Sequence, residues 1–356
     1  MNPDRSLRVA LIGYGLGGAT FHAPLISATA GLELAAIVTK DPTRRAQAQR
    51  DFPAARLLDG VADVWSAAAS YDLAVVASPS GAHASLALRA LEAGLNVVVD
   101  KPFAATADEA RRIAAAAHAR GLLVSPFQNR RWDGDFLTVR RLQADGRLGT
   151  VYRFESRFER WRAAAKPRWT EPDAEGALEG IVYDIGSHLV DQALVLFGPV
   201  RDVYAESDRR HPAVCVEDEA MIALTHTSGV RSHLFMSAVA GQSGPRMSVY
   251  GSRATYVKFG LDPQEDSLKR GVRPGDEAWG EESADRWGTL HDGTTGAPIA
   301  TEAGAYENFY TGIERALRTR GAPPVDPNDA VESLVVIEAA KRSARERRVV
   351  RCDELG

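Results

Sequence analysis

The sequence predicts an α/β chain in two parts: a doubly wound parallel sheet, then an α+β domain built on an open, mostly antiparallel sheet. Three observations predict it. Short apolar runs alternate with helical stretches up to about residue 125. Later runs alternate in polarity and pair across tight turns. The 356 residues are also the length of about two domains at roughly 150 residues each. The boundary is expected near residue 127, giving domains over 1–126 and 127–356.

In the first part LRVALIG (7–13), LELAAIV (32–38), LAVVAS (73–78), LNVVVD (95–100) and LLVSPF (122–127) read as strands. Their near-continuous apolar character suits strands covered on both faces. The clearest helix is TADEARRIAAAAHARG, where Thr106 or Asp108 caps the start and Gly121 ends it. Such alternation is that of a doubly wound sheet. Beyond Phe127 the texture changes. Residues 150–162 show mixed alternation, 214–241 read as strand, turn, strand, and 247–260 read as a hairpin turning at Gly251-Ser252. Few helices remain to cover those strands. Residues 260–300 are rich in Gly, Pro, Asp and Glu and read as a long loop, expected to be functional or to pack at an interface. A last helix over 328–345 carries Val331, Leu334, Val335 and Glu338 at helical spacing.

Composition narrows the function. Apolar residues make up 45% and charged residues 25%, which suits a globular core. A net charge of −4 offers no field for nucleic acid or an anionic membrane. No apolar run reaches the ~18 residues of a membrane span, and no signal-peptide pattern precedes the first strand. The expectation is a cytoplasmic protein. Cys215 and Cys352, the two cysteines, lie too far apart for a metal or redox motif.

Gly13, Gly15 and Gly18 form G-x-G-x-x-G directly after the first strand and before a helical stretch. There the glycines allow a tight turn and let the backbone approach a pyrophosphate at a helix N-terminus, the fingerprint of a Rossmann domain. An NAD-type site would carry an acid near residue 39 for the ribose hydroxyls. Thr39 and Lys40 stand there instead, followed by Arg44 and Arg45. A hydroxyl and a cation favour the dianionic 2′-phosphate of NADP, with NAD possible through Asp41. Asp41 can alternatively cap a helix starting at Pro42.

Lys101 follows the strand LNVVVD, outside the carboxyl end of the sheet where ligands bind. Asp184, His188 and Asp191 share one helical face by their spacing. A His flanked by carboxylates can hold a proton near neutral pH. The plainer alternative makes Asp184 a helix cap and His188 a core residue, with Gly198-Pro199 ending the helix.

These residues together resemble the Gfo/Idh/MocA oxidoreductases, over nearly the whole chain. The resemblance is carried by GYGLGGATFHAPLI (13–26), SPSGAH (78–83), DKPF (100–103), FQNRRWDGDF (127–136), YDIGSHLVDQAL (183–194) and FGLDPQEDSLK (259–269). The FHAPL, NRRWD and GLDPQE segments look most like the branch containing scyllo-inositol dehydrogenases. The resemblance implies cofactor contacts from Gly13, Tyr14, Gly15, Leu16, Gly17, Gly18, Thr39, Lys40, Ser78, Pro79, His83 and Asp100. It implies a catalytic Lys101, in an E-K-P motif whose glutamate is here Asp100, and catalytic Asp184 and His188. The glycine-rich lead-in to that last motif survives only as Glu179-Gly180. Arg131, Arg168, Trp169 and Asp191 fall where the branch supplies substrate groups. The implied reaction is reversible oxidation of a secondary alcohol on a cyclic polyol or sugar, without a metal, in a homodimer paired through the second sheet. A non-catalytic nucleotide- or sugar-sensing regulator, and a glycosidase or dehydratase using NAD transiently, would share the fold.

Overall fold

The computed structural model describes residues 5–172 and 178–355. The chain divides into two compact units: residues 1–132, 264–279 and 305–331, and residues 133–263, 280–304 and 332–356. The first change of unit comes after residue 132, and the later segments 264–279 and 305–331 belong to the first unit.

The first unit begins with Leu7–Ile12 (β1), a π-helical turn over Gly17–His22 and Ala23–Ala28 (α1). Leu32–Val38 (β2), Pro42–Asp51 (α2), Arg56–Leu58 (β3) and Val61–Ser66 (α3) follow. Leu73–Val76 (β4), His83–Glu92 (α4), Asn96–Val99 (β5), Ala107–Arg120 (α5) and Val124–Pro126 (β6) complete the alternation. The strands form one parallel sheet in the order β3-β2-β1-β4-β5-β6. Strand order reverses at β1, which places a crevice for ligands beyond its carboxyl end. Local signals set the helix ends. Asp41 caps α2 by accepting from the Arg44 N–H at 2.9 Å, and Thr106 caps α5 by accepting from the Glu109 N–H at 3.2 Å. Val9, Leu11, Leu73, Val75 and Val98 are wholly buried in the middle of the sheet.

The second unit opens with Gly134–Ala144 (α6), Val151–Glu159 (β7), Ser187–Phe197 (α7) and Val200–Asp208 (β8). Glu219–His226 (β9), Arg231–Ser237 (β10), Met247–Gly251 (β11) and Thr255–Lys258 (β12) continue it. Next come Gln264–Lys269 (α8), which belongs to the first unit, and a hairpin of Gly288–His291 (β13) and Gly296–Ile299 (β14). The expected structureless loop over 260–300 is thus corrected. Its strands were hidden because β13 and β14 are four residues each, and β14 buries only Ile299. Glu307–Thr319 (α9) returns to the first unit, where Tyr306, Phe309, Tyr310 and Ile313 join the core. Pro327–Glu346 (α10) and Val350–Arg351 (β15) are the last α-helix and the last strand, and a 3₁₀ turn over Cys352–Leu355 follows.

The second sheet has nine strands, ordered β14-β13-β12-β11-β7-β10-β9-β8-β15. Every neighbouring pair is antiparallel except β7 with β10. Along β9 buried and half-buried residues alternate strictly, the mark of a sheet covered on one face. Leu189, Val190, Ala193 and Phe197 of α7 are buried, with Phe197 against Phe154 of β7. The other face carries Arg153 over Tyr250 and Arg157 over Phe235, 3.8 and 4.3 Å to the ring centroids.

Candidate functional site

The glycine loop connects β1 to the π-helical turn, and each glycine has its own steric reason. Gly13 has φ +104°, and a Cβ there would lie 2.4 Å from the Ala77 carbonyl oxygen and 2.9 Å from the Ser78 nitrogen. It lets the tips of β1 and β4 meet. A Cβ on Gly18 would lie 2.1 Å from the Gly13 carbonyl oxygen, so Gly18 closes the turn against the strand. Gly15 differs: the nearest protein atom to its Cβ position is Arg44 Nη1, at 3.9 Å. The fold therefore does not require glycine there. Space is kept beside the backbone, as a pyrophosphate would need. This is a cradle that fits a dinucleotide. Tyr14 is buried with its ring edge against Phe52, so its backbone is what it offers a ligand, while Leu16 is 69% exposed.

The tip of β2 separates the basic residues by task. Arg45 donates to the carbonyls of Thr39 and Leu58 at 3.1 and 3.3 Å and pairs with Asp59 at 2.7 Å, which ties β2 to β3. Lys40 and Arg44 are exposed, and neither side chain forms an ion pair or hydrogen bond among the described residues. Asp41 is engaged as the cap of α2. Thr39 is buried at 7% exposure.

At the tips of β4 and β5, His83 is buried, with Nδ1 2.7 Å from the Pro102 carbonyl and Nε2 2.8 Å from the Ser78 carbonyl. Its side chain ties the segment Ser78-Pro79 to the segment around Lys101. Asp100 Oδ1 accepts from the Lys101 N–H at 2.8 Å, and its Oδ2 lies 2.5 Å from the position of a Cβ on Gly17. Burial pushes the Asp100 carboxyl up, but His22 outweighs it, helped by His83 and Lys101. The group is held below the ordinary carboxylate value. The first unit thus gathers Gly13, Gly17, Gly18, Ser78, His83, Asp100 and Lys101. Arg131 is committed elsewhere in that unit, donating to Asp329 at 2.8 Å.

In the second unit Asp184 lies in a π-helical turn, Val182–Gly186, that runs into α7. The helix takes Gly186 as its cap residue, and Asp184 instead forms an ion pair with Lys166. His188 and Asp191 follow on α7, 5% and 2% exposed. Gly180, the surviving glycine of the lead-in, has φ +105°, and a Cβ there would lie 2.5 Å from Glu217 Oε1. Its carbonyl accepts from the Asp184 N–H at 3.0 Å. The one glycine retained is the one this backbone requires. Trp169 is buried beneath Lys166, whose Nζ lies 4.7 Å from the indole centroid. Arg168 is exposed and paired with Glu179 at 3.1 Å. Asp184, Trp169, Arg160 and Arg162 line one small recess.

Sequence reasoning missed Lys166, which sits in an irregular segment with no period to mark it. It also missed His22 and Tyr310: the first lies inside the FHAPL segment, and the second packs against it from 288 residues away. Among the described residues no cluster of three or more His, Cys, Asp or Glu could hold a metal, and no helix is long and apolar enough to cross a membrane.

Comparison with known proteins agrees with this geometry. Residues 7–128 match the model of the oxidoreductase family's NAD-binding Rossmann fold, and residues 140–352 match its C-terminal alpha/beta domain. The chain is 39% identical over 344 residues to the uncharacterised oxidoreductase YdgJ of Escherichia coli (strain K12), covering 96% of this chain and 97% of YdgJ. It is 32% identical over 352 residues to the scyllo-inositol 2-dehydrogenase (NADP(+)) IolW of Bacillus subtilis (strain 168), covering 97% and 96%. The solved structure of YvaA from Bacillus subtilis superposes with a TM-score of 0.92 at 31% identity, covering 99% of both chains. With a dinucleotide cradle in one unit, a carboxylate-flanked histidine helix in the other and both family models matched, the chain belongs to the Gfo/Idh/MocA family of NAD(P)-dependent oxidoreductases, dehydrogenases of CH–OH groups.

Proposed function

We propose that the protein is an NADP-preferring dehydrogenase that oxidises a secondary alcohol of a cyclic polyol, of the inositol type. The observation that carries the cofactor choice is the tip of β2, where Lys40 and Arg44 are unpaired cations and Asp41 is spent as a helix cap. The 32% identity to IolW, named for NADP and scyllo-inositol, supports both halves of the reading.

Gly13, Gly15 and Gly18 would hold the pyrophosphate, and Thr39, Lys40 and Arg44 the 2′-phosphate. When bound, the nicotinamide supplies the hydride acceptor. His188 takes the hydroxyl proton as general base. Lys101 donates a hydrogen bond to the same oxygen and stabilises its growing negative charge. Asp184, paired with Lys166, orients the base, while Arg168, Trp169 and Asp191 select the substrate. Because Arg131 is already paired with Asp329, its part in substrate recognition would be indirect. The half-exposed outer face of the second sheet, with Tyr250 and Phe235, is the proposed homodimer surface.

A screen of inositols and aldoses, read as reduction of NADP+ and of NAD+ in parallel, tests the reading. Turnover of a cyclic polyol with NADP+ favoured is expected. Turnover confined to acyclic or non-polyol substrates, or equal use of both cofactors, would overturn the corresponding half.

A further inference from the structure

Behind the glycine loop a buried histidine faces the carboxylate that precedes Lys101, and no role assigned so far uses it. His22 closes the π-helical turn that begins at Gly17 and has no exposed surface. Its Nδ1 lies 2.6 Å from the Tyr310 hydroxyl, and its Nε2 lies 3.6 Å from Asp100 Oδ2 without a hydrogen-bond partner of its own. Phe127 packs on the imidazole at 4.2 Å between ring centroids. A buried polar nitrogen with no partner is costly, so the group it faces matters.

The chemistry fixes the direction of the chain. Tyr310 is buried, and burial together with the nearby Asp100 charge keeps its hydroxyl protonated. Nε2 faces the Asp100 carboxylate, which can only accept, so in the neutral ring the proton stands on Nε2 and Nδ1 accepts from the Tyr310 hydroxyl. Asp100 sits between this ring and two parts of the cofactor site. Its Oδ1 accepts from the Lys101 N–H, and its Oδ2 lies 2.5 Å from where a Cβ on Gly17 would stand. His83 and Lys101 are the other titratable groups acting on it. A carboxylate left loose at that point would bring negative charge into a loop shaped to receive a pyrophosphate.

We propose that His22 is a positioning residue: with Tyr310 on its other ring nitrogen, it fixes the Asp100 carboxylate in its place beside Gly17 so that the loop accepts the dinucleotide. This rests on the dehydrogenase reading, and the test separates the two. NADPH is titrated by fluorescence into the full chain and into His22→Phe, Asp100→Asn and the double variant. His22→Phe should raise the NADPH Kd about tenfold in the native background and less than twofold with Asp100→Asn, because an amide brings no charge to release. Tyr310→Phe, which removes one oxygen from the core, should raise Kd about threefold with the same dependence on Asp100. It carries the test if His22→Phe does not fold. Equal fold-changes in both backgrounds would overturn the proposal and reduce His22 to packing. Failure of the native chain to bind either NADPH or NADH would instead sink the dehydrogenase reading, and this inference with it.

Discussion

Two alanine substitutions, two residues apart in the glycine loop, should have opposite consequences. At Gly13 a methyl group meets the Ala77 carbonyl oxygen at 2.4 Å, in a backbone with φ +104°. The left-handed conformation costs about 1–2 kcal/mol and the overpacking about 1–3 kcal/mol. Gly13→Ala should therefore lower the unfolding free energy of the cofactor-free protein by about 2–5 kcal/mol. At Gly15 the nearest protein atom stands 3.9 Å from the new methyl, an ordinary contact with a movable arginine. Stability should stay within about 0.5 kcal/mol of the native chain. The methyl instead occupies the space kept for the pyrophosphate, so Kd for NADPH should rise at least about tenfold, or roughly 1.4 kcal/mol. Urea unfolding and NADPH fluorescence titration measure the two effects separately. Native NADPH affinity in Gly15→Ala would refute the reasoning, because the loop would then be a turn and nothing more.

Arg44→Ala should weaken NADPH by about ten- to a hundredfold, the loss of a charge-assisted contact of roughly 1.5–3 kcal/mol, and leave NADH unchanged. Thr39→Asp should invert the preference; titration of both reduced cofactors checks each variant, and Arg45→Ala should instead destabilise the β2–β3 edge. Asp72 offers a pH test. Its burial pushes the carboxyl up, but the hydrogen bond and charge of Arg5 and the Arg8 N–H outweigh this and hold it below its ordinary value. A depressed folded-state value gives stability that is present above the unfolded value near 4 and lost as pH falls through the folded one. Asp72→Asn should therefore be less stable at neutral pH, with the gap to the native chain closing below about pH 4 in urea titrations.

Much of this fold was legible because its signals are local. The parallel strands are apolar almost throughout, Thr106 and Asp41 cap as their positions suggest, and Gly13 must follow a strand to be read at all. What escaped was long-range or short. No local pattern marks α9 as part of the first core, since its Phe309 and Tyr310 meet Phe127 only in three dimensions. The β13–β14 hairpin is too brief to show a period. The same division holds at the site. Spacing grouped Asp184 and His188 on one helical face and the end of a strand drew attention to Lys101, whereas the helix start at Asp184 became a π-helical turn with an ion pair to Lys166, a partner that spacing cannot reveal.

The central claim is that Lys101 and His188 perform the proton chemistry of an NADP-linked dehydrogenase, and one paired measurement tests it most directly. Steady-state oxidation of the best inositol is followed in the native chain, Lys101→Ala and His188→Ala, beside the NADPH Kd of each. The account predicts turnover in the native chain, loss of at least about a thousandfold in both variants, in the upper range for a lost general acid or base, and NADPH affinity within twofold of native. Near-native kcat in both variants, with the cofactor still bound, would contradict it.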